Sequence, residues 1–532
     1  MKTRQKSENG KVPKSARKRE ERSTVGGTIG KAVPVKQQSK QLDLFIGTAE
    51  RWEAEAEVTP GGIAEHNDRR TMDEFIGQVS RPKPMEKEQE STTAMIDRVC
   101  ERLAEALEKV ARNKGAPGPN RQTIDEVRKH WNTIVPVLTD DLQKGKYMPG
   151  DIRRVWIPKS DGSQRGLGIP DVIDRVVQEA VRQVLEPMYE PGFHDGSHGF
   201  RAGRSCHTAI AAAQRHMRDG YLWVVDIDLE KFFDTVNHQR LMARLAERTK
   251  DRSLLVLIGR MLKARVVMPD GVVVNTEEGV PQGGPLSPLL SNIVLTELDE
   301  ELSRRGHRFV RYADDANIYV KSERAGTRVM ASVKSFIERR LRLKVNANKS
   351  AVARPEERHF LGFRLRPRAE GGDPEVLLSV RSQKRIDEKV RELTPRTWGQ
   401  SMDDCFRMMN VYLTGWLGFF GICTEGVKYA LQGLDAHIRR RLRAIQLRHW
   451  KTKRTILRKL KALGRPANQA YKSVYGGQKS AWALSNSYAL THTLNKRYFA
   501  NRGLFSLVEA WEKKHLPPCP PSLQNQLALA LE

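Results

Sequence analysis

Four aspartates stand out by type and spacing. Asp314 and Asp315 are adjacent in RYADDANIYV (311–320), and Asp226 and Asp228 end the run YLWVVDIDL (221–229). Side chains on a strand alternate faces, so Asp226 and Asp228 point the same way. If this strand neighbours the 309–320 segment, three or more carboxylates converge. Unpaired carboxylates in one place repel and resist ionisation. A hard divalent cation removes the conflict, and magnesium is usually held by one or two carboxylates plus substrate phosphates. Two such ions can activate an attacking hydroxyl and stabilise a leaving oxygen, the chemistry of nucleotidyl transfer. Taken alone, adjacent aspartates are explained better by an Asx-type turn than by chemistry. The elements around them have to decide.

The chain has 532 residues, enough for two to four domains. Apolar residues at 95, 99, 103, 106, 107 and 110 predict a helix within 94–115, with Gly115 as its C-cap. Residues 152–170 read as a hairpin, two extended arms around SDGS. Residues 171–189 form an amphipathic helix capped by Asp171. The 221–229 run is a buried strand, and 309–320 is strand, turn, strand. Beyond about residue 380 the pattern is helical and basic. The fold class is α+β followed by a helical domain.

Lys and Arg number 92 against 64 Asp and Glu, a formal charge of +28. That excess points to a polyanionic partner, nucleic acid above all. Residues 1–40 hold twelve Lys/Arg and three Glu and read as a flexible basic arm. Residues 43–58 suit a short helix and 78–92 a linker. The stretch 439–465 carries twelve Lys/Arg and no acid, with His449 and Trp450 interleaved. Cations among aromatics suit phosphate contact and base stacking. Arg439, Arg440, Arg441, Arg443, Arg448, Lys451, Lys453 and Arg454 are the candidate RNA-binding residues. The five cysteines are scattered and contain no Cys-x-x-Cys pair, against a disulfide framework or zinc knuckle. With no apolar leader and no membrane-length run, a cytoplasmic location is expected.

Seven blocks then settle the reading of the aspartates. RRVWIPKSDGSQRGLGIPDVIDRVVQEAV, FHDGSHGFRAGRSCHTAI, VVDIDLEKFFDTVNH, GVPQGGPLSPLLSNIVLTELD, RYADDANIYV, LRLKVNANKS and HFLGF follow in that order. Together they resemble bacterial group II intron-encoded reverse transcriptase/maturases, over residues 94–515. The resemblance implies a right-hand polymerase fold, with fingers and palm built on antiparallel sheet, then an α-helical thumb/maturase domain. It implies Asp228, five residues before Phe233, and Asp314 as main metal ligands. Asp315 is then an auxiliary catalytic carboxylate, the Leu229 carbonyl a further ligand, and Asp226 a neighbour. It implies that Phe233 blocks a ribose 2′-OH, that Lys159 and Arg165 meet a triphosphate, and that Gln282 touches the incoming nucleotide. Lys349 belongs near the same triphosphate. NKGAPGPNRQTI matches a template-contacting block but reads Pro119-Asn120-Arg121 where Val-Asp-Gly is usual, and MMNVYLTGWLGFFGI (408–422) matches the thumb and maturase region.

The expected function is RNA-directed DNA polymerase and intron maturase, using two Mg2+ and dNTPs. Its partners are group II intron RNA and a DNA target or primer, with no membrane. Residues 1–92 are expected to be a basic extension, 93–370 fingers and palm, 371–515 thumb/maturase, and 516–532 a tail. The single cysteine near the end cannot build the family's endonuclease site, so the chain is read as class-C-like and endonuclease-lacking. The alternatives are a domesticated reverse transcriptase in defence or repair, and a splicing cofactor with a vestigial polymerase. Intact Asp228, Asp314, Phe233 and Gln282 argue against the last.

Overall fold

The computed structural model describes residues 94–515, except 159–161, 163, 369–370 and 478–479. The basic arm, the 43–58 helix, the 78–92 linker, the tail after 515 and Lys159 lie outside the described residues.

Helix α1 (Met95–Arg112) buries Val99, Leu103, Ala106, Leu107 and Val110 along one face. It ends earlier than Gly115 would require. Lys114 takes the left-handed conformation, at φ 46°. Gly115 is small for another reason, since a Cβ there would lie 2.4 Å from Arg175 Nη1. Strands β1 (Ile152–Pro158) and β2 (Gln164–Ile169) pair antiparallel as the hairpin reading required, with Ile157 opposite Arg165. Helix α2 (Val172–Tyr189) packs on α1. Asp171 occupies its N-cap but makes no side-chain cap bond. Its Oδ1 instead accepts from Asn120 N at 3.1 Å. The variant Pro119-Asn120-Arg121 stretch is thus tied to the start of α2.

Helix α3 (Cys206–Arg218) precedes β3 (Trp223–Ile227). Short strands β4 (Val266–Val267) and β5 (Val273–Val274) extend the hairpin into a sheet of order β2-β1-β4-β5. Helix α4 (Ser287–Arg304) follows the glycine-rich loop. Strand β6 (Arg308–Tyr312) turns into β7 (Asp315–Val320), helix α5 (Glu323–Phe336) follows, and β8 (Ala351–Ala353) completes a second sheet of order β6-β7-β3-β8.

This second sheet divides its residues by parity between two cores. Val225, Ile227, Ala316 and Ile318 enter one core with α1, α2 and α4. Val224 and Tyr319 enter a second core, built from α3 and the helices after residue 380. Val225 and Ile227 are fully buried, and each contributes about 2 kcal/mol by leaving water. That burial fixes register, because a one-residue slip would send the aspartates of β3 into the first core.

Strands β9 (Phe363–Arg366) and β10 (Glu375–Leu378) form a separate hairpin, so the expected boundary at 370/371 falls inside it. Helices α6 (Val380–Leu393), α7 (Met402–Phe420), α8 (Lys428–His449) and α9 (Lys453–Ala462) lead the helical region. Among the described residues no helix is long and apolar enough to cross a membrane.

Candidate active site

Strands β3 and β7 are antiparallel neighbours, with Asp226 opposite Asn317 and Ile227 opposite Ala316. Continued by one residue, that register sets Asp228 opposite Asp315. Asp314 occupies the turn just before β7, after Ala313, whose φ is 55°. Two separated segments therefore bring Asp228, Asp314 and Asp315 to one sheet edge. The Asp315 carboxyl is pushed up to about 7, by burial first and then by Asp314, Asp226 and Asp228. The residue is nonetheless exposed to solvent, so the three like charges are the more durable cause. At neutral pH a proton or a cation must relieve this crowding.

Asp226 stands apart. Its Oδ2 accepts from Arg358 Nε at 2.8 Å and Nη2 at 2.5 Å. The guanidinium neutralises it locally, which leaves Asp228, one residue past the end of β3, as the carboxylate of this segment available to a metal. Among the described residues no three or more His, Cys, Asp or Glu side chains form a ready-made metal cage. The expected convergence thus comes down to Asp228, Asp314 and Asp315 at one sheet edge, without a ready-made cage. The donor set still fits magnesium, which takes one or two carboxylates and completes its shell with substrate phosphate and water.

The LKVNANKS loop holds Asp228 from above. Asn346 N donates to Asp228 O at 2.9 Å, and Asp228 N donates to Ser350 Oγ at 3.0 Å. Leu229 bridges Val345. The adjoining bonds use the Asp228 carbonyl and Glu230 N, the latter donating to Lys344 O at 2.8 Å. They leave the Leu229 carbonyl outside the ladder. Lys349, exposed on this loop, lowers the Asp315 pKa by its charge. Arg358 also donates to the Lys349 carbonyl at 2.5 Å.

The two neighbouring phenylalanines separate cleanly. Phe232 is buried at 2% exposure, whereas Phe233 is half-buried and meets it edge-on, centroids 5.2 Å apart. The core-filling role falls to Phe232, while Phe233 packs partly buried against the edge of the same core. Val280 N donates to Phe233 O at 2.6 Å, and Gly168 N donates to Gln282 O at 2.7 Å. The VPQGG loop is therefore laced to Phe233 at one end and to β2 at the other. Gly283 makes this possible: its φ is 119°, and a Cβ would lie 2.6 Å from Gly168 O. Arg165, two positions past the hairpin turn, is exposed. Arg165, Phe233, Gln282, Lys349 and the aspartates are so connected through β2, the loop and the second sheet.

Residues 157–365 match the family described as reverse transcriptase (RNA-dependent DNA polymerase), and residues 383–463 match the group II intron maturase-specific domain. The protein YkfC of Escherichia coli is 33% identical over 338 residues, 56% of this chain and 88% of YkfC. The chain belongs to the group II intron-encoded reverse transcriptase/maturase family. The group II intron-encoded protein LtrA of Lactococcus lactis is 29% identical over 333 residues, 50% of this chain and 55% of LtrA. The COX1/OXI3 intron 2 protein of Saccharomyces cerevisiae is 28% identical over 348 residues, 53% of this chain and 40% of its own length. The match spans only about half the length of these last two relatives.

In this reverse transcriptase/maturase the basic stretch of the maturase region divides into two classes. Arg443 is buried, its Nε donating to Ser485 O at 2.7 Å and its Nη1 to Leu494 O at 3.2 Å. Burial, then Arg439 and Arg440, push it down to about 10. Arg441 donates through Nε to Thr394 Oγ1 and through Nη2 to Thr394 O, both at 2.5 Å. Arg440 lies 4.1 Å over the Trp482 ring, and Arg439 is half-buried. Arg440, Arg441 and Arg443 fasten α8 to its neighbours, and Arg443 in particular has no surface to offer RNA. Charge count alone hides this, because a helix places part of any long basic run inward. Arg448, Lys451, Lys453 and Arg454 are exposed and form the cationic surface.

Proposed function

We propose that this chain binds group II intron RNA, assists its splicing and copies it into DNA by extending a DNA primer with dNTPs. The observation that carries the reading is the β3–β7 register, which sets Asp228 beside the Asp314–Asp315 turn. On this reading the residues from 93 to the β9–β10 hairpin act as fingers and palm, and those after it, to 515, as thumb and maturase domain. In the reaction the primer 3′-OH attacks the α-phosphate of the nucleotide, a new phosphodiester forms, and pyrophosphate leaves.

Asp228 and Asp314 would hold Mg2+, two ions in our proposal, with Asp315 and the Leu229 carbonyl beside them. Mg2+ there supplies positive charge that eases deprotonation of the 3′-OH and balances the charge leaving with pyrophosphate. Arg165 and Lys159 bind the triphosphate as cations, and Lys349 approaches it from the opposite loop. Gln282 contacts the nucleotide from a loop that cannot shift without disturbing Phe233 or β2. Phe233 places an aromatic ring where a 2′-OH would sit.

A direct test combines the chain with RNA transcribed from around its gene. RNA-templated DNA synthesis and faster splicing are both expected in Mg2+, and their joint absence overturns the reading. Phe233→Val should raise ribonucleotide use relative to dNTP use by about ten- to a hundredfold in kcat/KM, the scale on which one small group discriminates substrates. Single-nucleotide incorporation assays measure this ratio, and an unchanged ratio removes Phe233 from the sugar pocket.

Exchanging Arg448, Lys451, Lys453 and Arg454 together for Gln should weaken RNA binding. It should also flatten the dependence of log K on log salt by about 0.7 to 0.9 for each phosphate no longer neutralised. Filter binding across a salt series checks it. An unchanged slope would place these four residues outside the RNA interface.

A further inference from the structure

Arg311, immediately before the YADD turn, is one of the largest wholly buried side chains, at 1% exposure. Its guanidinium spends every N–H. Nε and Nη2 donate to Asp299 Oδ1 at 2.8 Å and Oδ2 at 2.5 Å. Nη2 also donates to Ser197 Oγ at 2.7 Å. Nη1 donates to Asn292 Oδ1 at 3.1 Å and to the Ala313 carbonyl at 2.9 Å. The last bond reaches into the turn itself. Ala313 is a non-glycine residue at φ 55°, a conformation that costs energy unless its surroundings impose it.

The surroundings come from the FHDGSHGFRAGRS block. His198 N donates to Arg311 O at 2.8 Å, and Arg311 N donates to Gly196 O at 2.7 Å. Asn292 Nδ2 donates to Gly199 O at 2.9 Å. Gly199 presses on the turn so closely that a Cβ there would lie 2.3 Å from Ala313 N. Arg201 fastens this loop in turn, donating to the His194 and Ser197 carbonyls, each at 2.8 Å. Asn292 and Asp299 both lie on α4, whose first residue, Ser287, donates through Oγ to Pro281 O at 2.6 Å. The same helix is therefore linked, through Arg311, to the turn that bears Asp314 and is bonded to the loop that bears Gln282.

We propose that Arg311 is a positioning residue for nucleotide addition: clamped by Asp299, Asn292 and Ser197, it holds the left-handed turn at Ala313 that presents Asp314. The inference rests on the polymerase reading above. It gives the 193–205 block a purpose that neither charge nor periodicity supplies, as the back wall of the turn. A residue acting this way changes the placement of Asp314 and leaves the nucleotide pocket intact. Its loss should therefore appear in kcat and in divalent-ion affinity, with little change in the KM for dNTP.

The test uses the full chain, with Arg311→Lys and Gly199→Ala beside wild type and Asp314→Ala. Lys keeps the charge but cannot supply the fork to Asp299 and the bond to Ala313 together. Gly199→Ala pushes on Ala313 N without touching the buried ion pair, so it remains informative if Arg311→Lys fails to fold. Both variants are expected to lose about a hundredfold in kcat, the cost of a misplacement of about an ångström. Mn2+ binding followed by electron paramagnetic resonance in the absence of substrates should weaken, while RNA binding stays at the wild-type level. Wild-type kcat per folded molecule, or unchanged Mn2+ affinity, in whichever variants fold would overturn the inference. Failure of wild type itself to extend a primer would instead overturn the polymerase reading.

Discussion

Asp314→Ala is expected to lower RNA-templated primer extension in Mg2+ by about a thousandfold or more, the several kcal/mol of charge stabilisation that a lost metal site withdraws. The geometry gives the residue no substitute. Asp226 is engaged by Arg358, and among the described residues no group of three or more His, Cys, Asp or Glu side chains stands ready to hold a metal in its place. Asp315 faces the same edge but follows the turn, and its carboxyl is pushed up by burial first and then by Asp314, Asp226 and Asp228. Asp315→Ala should therefore cost less. RNA binding by Asp314→Ala should stay close to wild type, because the exposed cations Arg448, Lys451, Lys453 and Arg454 lie on α8, α9 and the link between them. Gel-based extension and filter binding on the same preparations separate the two readouts. Extension at the wild-type rate would sink the assignment of the site.

Much of this arrangement was legible in the residues, and the illegible parts share a physical character. Period-two alternation correctly set Asp226 and Asp228 on one face, and strong burial of Val225 and Ile227 held the register that followed. The distinction between those two aspartates came from family spacing. Its physical cause, the Arg358 guanidinium 132 residues away, leaves no local trace. Phe232 and Phe233 were likewise indistinguishable by type, and only the packing of a short helix decides which is swallowed. Asp171 carried an N-cap signal, yet the tertiary bond to Asn120 took its carboxylate. Arg443 looked like its neighbours in a basic run, while its burial depends on carbonyls at Ser485 and Leu494. Local periodicity reports elements and faces. It does not report which long side chain finds a partner across the core, and arginine forms such bonds more readily than any other residue.

Asp299→Ala is expected to destabilise the protein by about 3 to 5 kcal/mol, the usual cost of leaving one member of a buried ion pair alone. Asp299 and Arg311 are 0% and 1% exposed, so neither solvent nor salt can screen the orphaned guanidinium. Ser197, Asn292 and the Ala313 carbonyl remain as acceptors, but none carries charge. Thermal unfolding should shift down by roughly 10 °C, and a variant as stable as wild type would mean that the pair is open in solution. Replacing both partners by apolar residues of similar volume, Arg311→Met with Asp299→Leu, should restore much of the lost stability, because the desolvation of two charges is then avoided. It should not restore activity. Met has no donor for the Ala313 carbonyl, and the turn would keep its fold-level support while losing the bond that shapes it. A stable double variant with wild-type kcat would show that the ion pair serves the core alone. A stable but slow one separates what holds the palm together from what aims Asp314.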